Sequence, residues 1–578
     1  MCILSFSQEH DAGAAIIENG RILAAINEER LTRVKGQAGF PYQSIAEVLR
    51  LSGKTPQDVM HVVVPEINKF VDVTKNLTKY PFTAFPVGRG GKTSGLDILK
   101  HLIFSFYIIA QTYPRVLVNH FLDVRRLRKM FPQAKFHRVE HHVCHAASAF
   151  HTSGFQKALI VTADYWGDFV CNMVSIGEGK DIEVVSRSWY PNSIGHYYAN
   201  LTTWFGFRAN RHEGKILGLA AYGNPDSPAY DEMKHMLEVD GLKLYCPYMI
   251  GKMWHKKIPF FKNSLMRQLQ TKYAREDVAA VFQRRLEEAF VQLTTNAYQK
   301  YKIENLVLAG GTFSNVKLNQ RLKEIPGIKN VYIFPNMTDG GISVGAALQY
   351  DISANGSFGA NIDHVYFGPE FTNQEIEASL KNGNLDYKYY ENIEAKVAEL
   401  LADNKVVARF NGKMEYGPRA LGNRSILYAA TDPTVNDWLN KRLGRTEFMP
   451  FAPVTLAEFA DKCYVNLEGG EYPSKFMTIT FDCTDYMKKT SPATVHVDGT
   501  ARPQLIDKKT NASYYKILKE YHKLTGIPTI VNTSFNMHEE PIVCTPDDAV
   551  RSFQQGHLEY LAIGNYLVSN SENKGSES

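Results

Sequence analysis

The chain opens on an apolar run, Cys2 to Ser7, that predicts a buried strand. His10-Asp11-Ala12-Gly13-Ala14 follows as a turn. Ala15 to Asn19 and Arg21 to Ala25 then predict two more strands around Asn19-Gly20. Asp11 thus stands on a tight turn between strands. Small neighbours there suit close approach of a nucleotide phosphate, although an ordinary hairpin aspartate is the simpler reading. The pattern recurs later in the chain. Ala158 to Ala163 predicts a strand, Asp164 ends it, Gly167 lies in the turn, and Phe169 to Ile176 forms the next strand. Two strand–Asp–turn–strand units predict an internal duplication.

A duplicated unit facing a cleft suits the two-lobed ATPase architecture of actin, hexokinase and the chaperone ATPases. Between the two units, Phe136 to Val139 reads as a strand end and a helix is predicted from near His141, through Ala146 to Ala149. On that helix His141 and His145 are four apart and share a face, the spacing at which two imidazoles grip one metal ion. The alternative is a pair of satisfied histidines. His137 and His141 share the spacing, but strand-like residues separate them. Arg30, Arg33 and Lys35 suit either a phosphate or a solvated helix end. Arg211 to Gly223 places Lys215 and Gly218 among short apolar segments, near a ligand or against a neighbouring helix. Val278 to Ala297 has the apolar spacing of a core helix.

Asn305 to Ala309 predicts a buried strand that runs into Gly310-Gly311 and then polar N-cap candidates up to Asn315. An α/β fold binds nucleotides at such a place, because glycines remove side chains and a helix N-terminus offers N–H groups. Val331 to Phe334 predicts a strand, and Pro335 to Gly341 turns into a helix carrying Ser343, Gly345, Ala346 and Ala347. Asp339 on that turn is either a helix cap or the oxygen ligand that the histidine pair lacks. These elements form a domain over residues 1–351, and a Gly/Asn/Ser-rich linker is placed at 352–368.

Residues 369–578 form the second domain. Glu391 to Asp403 predicts a helix and Val406 to Phe410 a strand. Four loops then bring Lys413, Arg419 and Arg424; Arg445; Arg502; and Asn532 with Ser534. Four polar, cationic loops in one domain predict an anion pocket. The polar tail from Asn570 is expected to be disordered.

With 578 residues the chain needs more than one core. A net charge of +5 gives no basic stripe for nucleic acid. Seven dispersed cysteines with no CxxC pair indicate neither a zinc ribbon nor a disulfide framework, and suit a reducing cytoplasm. The N-terminus shows no signal peptide. The greasiest run, Leu102 to Ala110, is too short to span a bilayer and is expected in a buried helix or a pocket wall. A homodimer is the base-rate expectation.

Seven segments, in order along the chain, resemble the NodU/CmcH-type carbamoyltransferases: VEHHVCHAASAF, EGKILGLAAYG, GGTFSNVKLN, MTDGGISVGAA, GKMEYGPRALGNRSIL, RTEFMPFAP and IVNTSFN. The resemblance implies an α/β protein with an N-terminal actin-like (ASKHA) ATPase-type domain and a C-terminal YrdC-like domain. It implies that His141, His145, Asp164 and Asp339 hold one iron(II) ion. It places Lys215, Gly218, Gly310, Gly311 and Asn315 at an adenylate site. Lys413, Arg419, Arg424, Arg445, Arg502, Asn532 and Ser534 would hold carbamoyl phosphate and the ATP phosphates. Tyr165-Trp166 depart from the family's small turn after the metal aspartate, and Cys144 stands where alanine is common.

The implied chemistry has two steps. In the second domain, with Mg²⁺, carbamoyl phosphate loses its phosphate and the carbamate attacks the α-phosphorus of ATP, giving carbamoyl adenylate and pyrophosphate, while converging cations neutralise phosphate charge. The carbamoyl group then passes to a hydroxyl of a small-molecule secondary metabolite at the metal, with His10 or Asp11 orienting it. His212, Glu213 and Asp226 are positional candidates for the base. The alternatives are a tRNA threonylcarbamoyl-type transferase, a sugar-kinase-like ATPase and a nucleotide-gated actin-like scaffold.

Overall fold

The structure, a computed structural model, describes residues 1–66, 125–190, 192–246, 269, 271–356, 361–445 and 448–570. The apolar run Leu102 to Ala110 lies outside them. Two five-stranded sheets share one path. In the first, β1 (Cys2–Ser7), β2 (Gly13–Glu18) and β3 (Arg21–Asn27) are antiparallel neighbours, and β4 (His61–Val64) and β5 (Lys135–Arg138) continue parallel to β1, in the order β3-β2-β1-β4-β5. In the second, β6 (Lys157–Gly167), β7 (Val170–Glu178) and β8 (Asp181–Trp189) are antiparallel. After a small hairpin, β9 (Glu238–Asp240) and β10 (Lys243–Tyr245), β11 (Asn305–Ala309) and β12 (Asn330–Ile333) add on in parallel. The second order, β8-β7-β6-β11-β12, repeats the first strand for strand.

The duplication extends to the helices. The fifth strand of each sheet leads into a helix, His141–Ser153 after β5 and Ile342–Asn355 after β12. These two helices pack on one another between the sheets, in a core with Ile3, Ile17, Val307, Tyr332 and Leu348. Their closest approach is at Gly345, where a Cβ would lie 1.9 Å from the Cys144 carbonyl oxygen. The long helix Arg275–Tyr301, which contains the predicted core helix, buries Val278, Phe282, Phe290 and Leu293 beneath the second sheet.

The helix after β12 runs to Asn355, past the domain boundary placed at residue 351, and Ile362 and Val365 beyond it are buried. The segment read as a linker is therefore packed where it is described. An eight-stranded mixed sheet follows, built from β13 (Tyr387–Tyr389), β14 (Val407–Phe410), β15 (Arg424–Ala429), β16 (Ala452–Leu456), β19 (Gln504–Ile506), β20 (Thr529–Ser534), β21 (Tyr560–Ile563) and β22 (Tyr566–Ser569). Its order is β13-β22-β21-β14-β15-β20-β16-β19. A short ribbon of β17 (Phe481–Asp482) and β18 (Thr500–Ala501) lies apart from it. No helix among the described residues is long and apolar enough to cross a membrane.

Because the Gly345 contact is with rigid backbone, Gly345→Ala must part the two helices. The expected loss of stability is about 1–3 kcal/mol, seen as a lower denaturation midpoint with unchanged slope. An unchanged midpoint would mean that the helices are not pressed together there.

Candidate functional site

Three histidines share the first two turns of helix His141–Ser153 and have different fates. His142 points into the core, with Nδ1 2.8 Å from Thr162 Oγ1 and Nε2 3.0 Å from the Val170 carbonyl oxygen. Burial keeps its ring neutral, well below the usual imidazole range. His141 and His145 face the other way. Helix N-termini leave N–H groups without partners, and here Asp168 Oδ2 accepts the His141 N–H at 2.9 Å, across from the β6–β7 turn. That turn also fixes the His141 ring, because a Cβ on Gly167 would lie 2.1 Å from it.

Asp164 was expected to end a strand. Instead β6 continues past it as a bulge, since the register moves from Ala163↔Asn172 to Gly167↔Val170. A bulge bends the strand and re-aims its side chains, and this one turns the Asp164 carboxylate toward the histidines. Its Oδ1 accepts the Tyr165 N–H at 2.7 Å, while Oδ2 lies 3.2 Å from His145 Nε2 and 3.8 Å from His141 Nε2. Asp339 arrives from the turn after β12, with Oδ1 3.3 Å from each of the same two nitrogens. One ligand atom from each of the four residues lies within 4.8 Å of the others.

Hydrogen bonding accounts for only part of this packing, the 3.2 Å contact of His145 Nε2 with Asp164 Oδ2. His141 Nε2 and Asp339 Oδ1 are buried and make no aligned hydrogen bond, although they are 3.3 Å apart. Atoms that approach without aligning are aimed at a common point between them. Burial opposes charge on His141, yet the Asp339 charge and the Asp164 carboxylate hold its pKa well above the usual value. Burial likewise opposes the Asp164 anion, and the two imidazoles hold its pKa well below the carboxylate range. Two imidazole nitrogens and two carboxylate oxygens converging in a buried place fit a divalent transition metal.

Asp11 occupies the β1–β2 turn, the counterpart of Asp164 in the duplicate, with φ +60°. Its carbonyl accepts Asn27 Nδ2 at 3.4 Å, and Asn27 Oδ1 accepts Asn336 Nδ2 at 3.1 Å, three residues before Asp339. The first turn is thereby tied to the ligand turn. His10 Nδ1 is 3.2 Å from Asp11 Oδ1, and that bond pushes the His10 pKa up to about 9 against the effect of burial. His10 is therefore a cation at neutral pH.

Gly310 and Gly311 lie directly behind the metal-facing strand, where a Cβ on Gly311 would be 2.9 Å from Asp164 Oδ1. Asn315 caps helix Val316–Lys323 by accepting the Leu318 N–H at 3.0 Å, and its amide also pairs with Gln283. Lys215 is buried on helix Glu213–Ala220, with Nζ 5.7 Å from the Phe207 ring centroid. Gly218 on that helix lies under Phe448 and Met449 of the eight-stranded unit. Among the base candidates, His212 Nε2 meets Glu539 Oε1 at 2.8 Å, Glu213 accepts the Asn210 N–H, and the exposed Asp226 pairs with Arg284.

The residues read as an anion pocket fall in the eight-stranded unit: Arg424 heads β15, Asn532 and Ser534 lie on the adjacent β20, and Arg502 lies between β18 and β19. Arg445 donates to Thr533 Oγ1 at 3.0 Å and to the carbonyls of Ser534 and Asn536 at 2.8 and 2.7 Å. Arg424 plays a different part from the one expected. It is fully buried on the Phe410 ring, and its donors go to the carbonyls of Asn411, Gly412, Asn423 and Pro369. Lys413 is exposed at the rim and Arg419 is half-buried.

The sequence reading passed over Glu415, whose Oε1 accepts the N–H groups of Leu421, Asn423 and Arg424 and folds the loop around itself. A lone acid inside a glycine- and arginine-rich run was the available signal. It also passed over the clamps between the two halves. Arg30 donates to the Gly417 carbonyl and Arg33 to those of Pro541 and Ile542, so neither is a solvated helix end.

The Carbamoyltransferase N-terminus family model matches residues 2–348, and the Carbamoyltransferase C-terminus model matches residues 398–570. The chain belongs to the carbamoyltransferase family. It is an enzyme that transfers carbamoyl groups, as the seven sequence segments indicated. It is 31% identical to an uncharacterised protein of Methanocaldococcus jannaschii over 98% of this chain and 99% of that one. It is 29% identical to nodulation protein U of Rhizobium tropici, over 98% and 96% respectively. Nodulation protein NolNO of Sinorhizobium fredii is 28% identical over 97% of this chain and 79% of its own length. Among solved structures, HypF of T. kodakarensis is similar with a TM-score of 0.38 and 12% identity, over 62% of this chain and 48% of that chain.

A raised histidine pKa favours the fold below the ordinary value of 6.5, and that contribution is lost as pH rises through about 9. In the metal-free carbamoyltransferase, the His10 ring resonances should titrate near pH 9, and near 6.5 in Asp11→Asn. A wild-type midpoint at 6.5 would dissolve the His10–Asp11 pair.

Proposed function

We propose that the chain is an ATP-dependent O-carbamoyltransferase. It makes carbamoyl adenylate from carbamoyl phosphate and ATP·Mg²⁺ in the C-terminal unit, residues 369–578. It then moves the carbamoyl group to a hydroxyl of a small-molecule secondary metabolite in the N-terminal unit, residues 1–351. The observation that carries this reading is the buried quartet His141, His145, Asp164 and Asp339, with donor atoms aimed at one point, in a member of this family. These four residues would hold iron(II), which supplies Lewis-acid polarisation of a carbamoyl or acceptor oxygen.

The chain's own groups do the rest. Arg419 and Arg502 are the guanidinium groups suited to phosphate oxygens in this reading, and Arg445 holds the end of β20 by donating to Thr533 Oγ1 and to the Ser534 and Asn536 carbonyls. Arg424 acts indirectly, by holding the loop 411–424 through its carbonyls. Gly310 and Gly311 give an adenylate backbone access beside Asp164, with Lys215 and Gly218 on the facing helix. Protonated His10, paired to Asp11, is placed to attract the carbamoyl oxygen or a phosphate and to hold its proton at neutral pH.

Protein purified without oxygen and given carbamoyl phosphate, ATP and Mg²⁺, but no acceptor, should release pyrophosphate that depends on carbamoyl phosphate. His141→Ala should retain that release, because the first step lies in the other unit. Production of ADP in place of pyrophosphate would contradict the reading and favour a kinase-like ATPase.

A further inference from the structure

Residues 457–503 leave the eight-stranded sheet after β16 and return to it at β19. Those two strands are parallel neighbours, so the segment is the crossover that joins them. It has a small core of its own, with Cys463, Tyr464, Ile479, Phe481 and Met487. Arg502 stands at its exit, between β18 and β19. That guanidinium is therefore placed from two sides, by the sheet and by whatever holds the crossover lobe.

The lobe is held by the other unit. Helix Val316–Lys323, which follows Gly310, Gly311 and the Asn315 cap, lies against it. The Thr480 N–H donates to the Val316 carbonyl at 3.3 Å, and Thr480 Oγ1 to Gln320 Oε1 at 2.9 Å. Buried Asn319 donates to the carbonyls of Phe313 and Thr478, one in each unit, at 2.8 and 2.7 Å. These bonds dock the lobe near β17. Lys317 reaches further, and its Nζ donates to Asp498 Oδ2 at 2.9 Å. Asp498 Oδ1 accepts the N–H and the hydroxyl of Thr500 at 3.1 and 2.6 Å. The turn closes with the His496 N–H on the Thr500 carbonyl at 2.8 Å. Burial opposes charge on Asp498, yet His496, Lys317 and Thr500 hold its carboxyl well below the carboxylate range. An ionised carboxylate thus bridges a lysine of one unit and the strand that delivers Arg502 in the other.

We infer that Lys317 and Asp498 are positioning residues for the adenylation step: Lys317, through Asp498 and Thr500, sets Arg502 in place for phosphate. This rests on the reading above that the C-terminal unit makes carbamoyl adenylate with Arg502 on a phosphate. The unit that consumes carbamoyl adenylate then also steadies a residue that helps to make it. A planar guanidinium fork depends on its aim, so losing the bridge weakens the co-substrate that Arg502 holds without removing any group that touches it.

Acceptor-free, carbamoyl-phosphate-dependent pyrophosphate release is measured on full-length wild type, Lys317→Ala, Lys317→Arg, Arg502→Lys and the double variant Lys317→Ala/Arg502→Lys. Arg502→Lys keeps the charge on a flexible stem that does not depend on the turn's geometry, and it shows whether Arg502 serves ATP or carbamoyl phosphate. Lys317→Ala should raise the KM for that same co-substrate about three- to tenfold, with kcat and the denaturation midpoint little changed, and Lys317→Arg should restore it. In the Arg502→Lys background, Lys317→Ala should add less than about twofold. Effects that multiply in the double variant would mean that the pair merely docks the lobe, and would overturn the inference. Wild-type KM values in Lys317→Ala would overturn it too, and either result leaves the underlying reading standing. Absence of carbamoyl-phosphate-dependent release from the wild type defeats that reading and the inference together.

Discussion

Two carboxylates and two imidazoles, brought within 4.8 Å of one another in a buried place, are the arrangement on which the N-terminal unit turns. Burying like charges without compensation costs on the order of several kcal/mol per ion. The chain accepts that cost through several independent devices. A bulge aims Asp164, a cross-turn carboxylate caps the histidine helix, and a glycine lies flat against the His141 ring. So many constraints on one point are what a permanent cation site requires.

The duplicated sheets explain why these groups meet. Each repeat contributes a helix after its fifth strand and an aspartate near its first turn. The two helices cross at Gly345 and Cys144, so the N-terminus of one and the entry to the other approach the same place. Asp164 and Asp11 are the counterpart aspartates, but only Asp164 is bulged inward as a ligand. Asp11 is spent on His10. Within one motif, a local change of strand register thus separates a member of the buried His–Asp quartet from a residue that tunes a neighbour.

The two halves of the enzyme share anchors at this point. Tyr416, in the arginine-rich loop, donates its hydroxyl to the Gly340 carbonyl, next to Asp339. Arg30 holds the following residue, Gly417, and Arg33 and His212 hold the loop after β20. The loop that gathers cations in one half is thereby fastened to the turn that carries a metal ligand in the other.

Much of this was legible from residue patterns, because strands β1 to β3, the His141 helix and the long core helix have strong apolar periods bounded by turn residues. Helical spacing put His141 and His145 on one face and the turn after β12 offered Asp339 as a partner for them, whereas Asp164 joined the set only through the family resemblance; the structure brings the four together. Other features were hidden. Nothing local shows that Arg424 and Arg445 both direct donors to main-chain carbonyls, those of Asn411 and Gly412 for the first and of Ser534 and Asn536 for the second. The hydrogen bonds that join Asn532 and Gln504 to the Ala420–Leu421 peptide span three sequence-distant segments. Arg33 stayed open between a phosphate contact and a solvated helix end because its carbonyl partners lie some 500 positions away. Long-range hydrogen bonds of this kind leave no local periodicity to read. The central claim, that the quartet binds a metal, is tested most directly by elemental analysis of anaerobically purified wild type and Asp339→Ala, with folding of both checked by circular dichroism. The proposed function predicts one iron per wild-type chain and its loss from the variant. A wild type that carries no metal, or a variant that keeps it, would contradict the account.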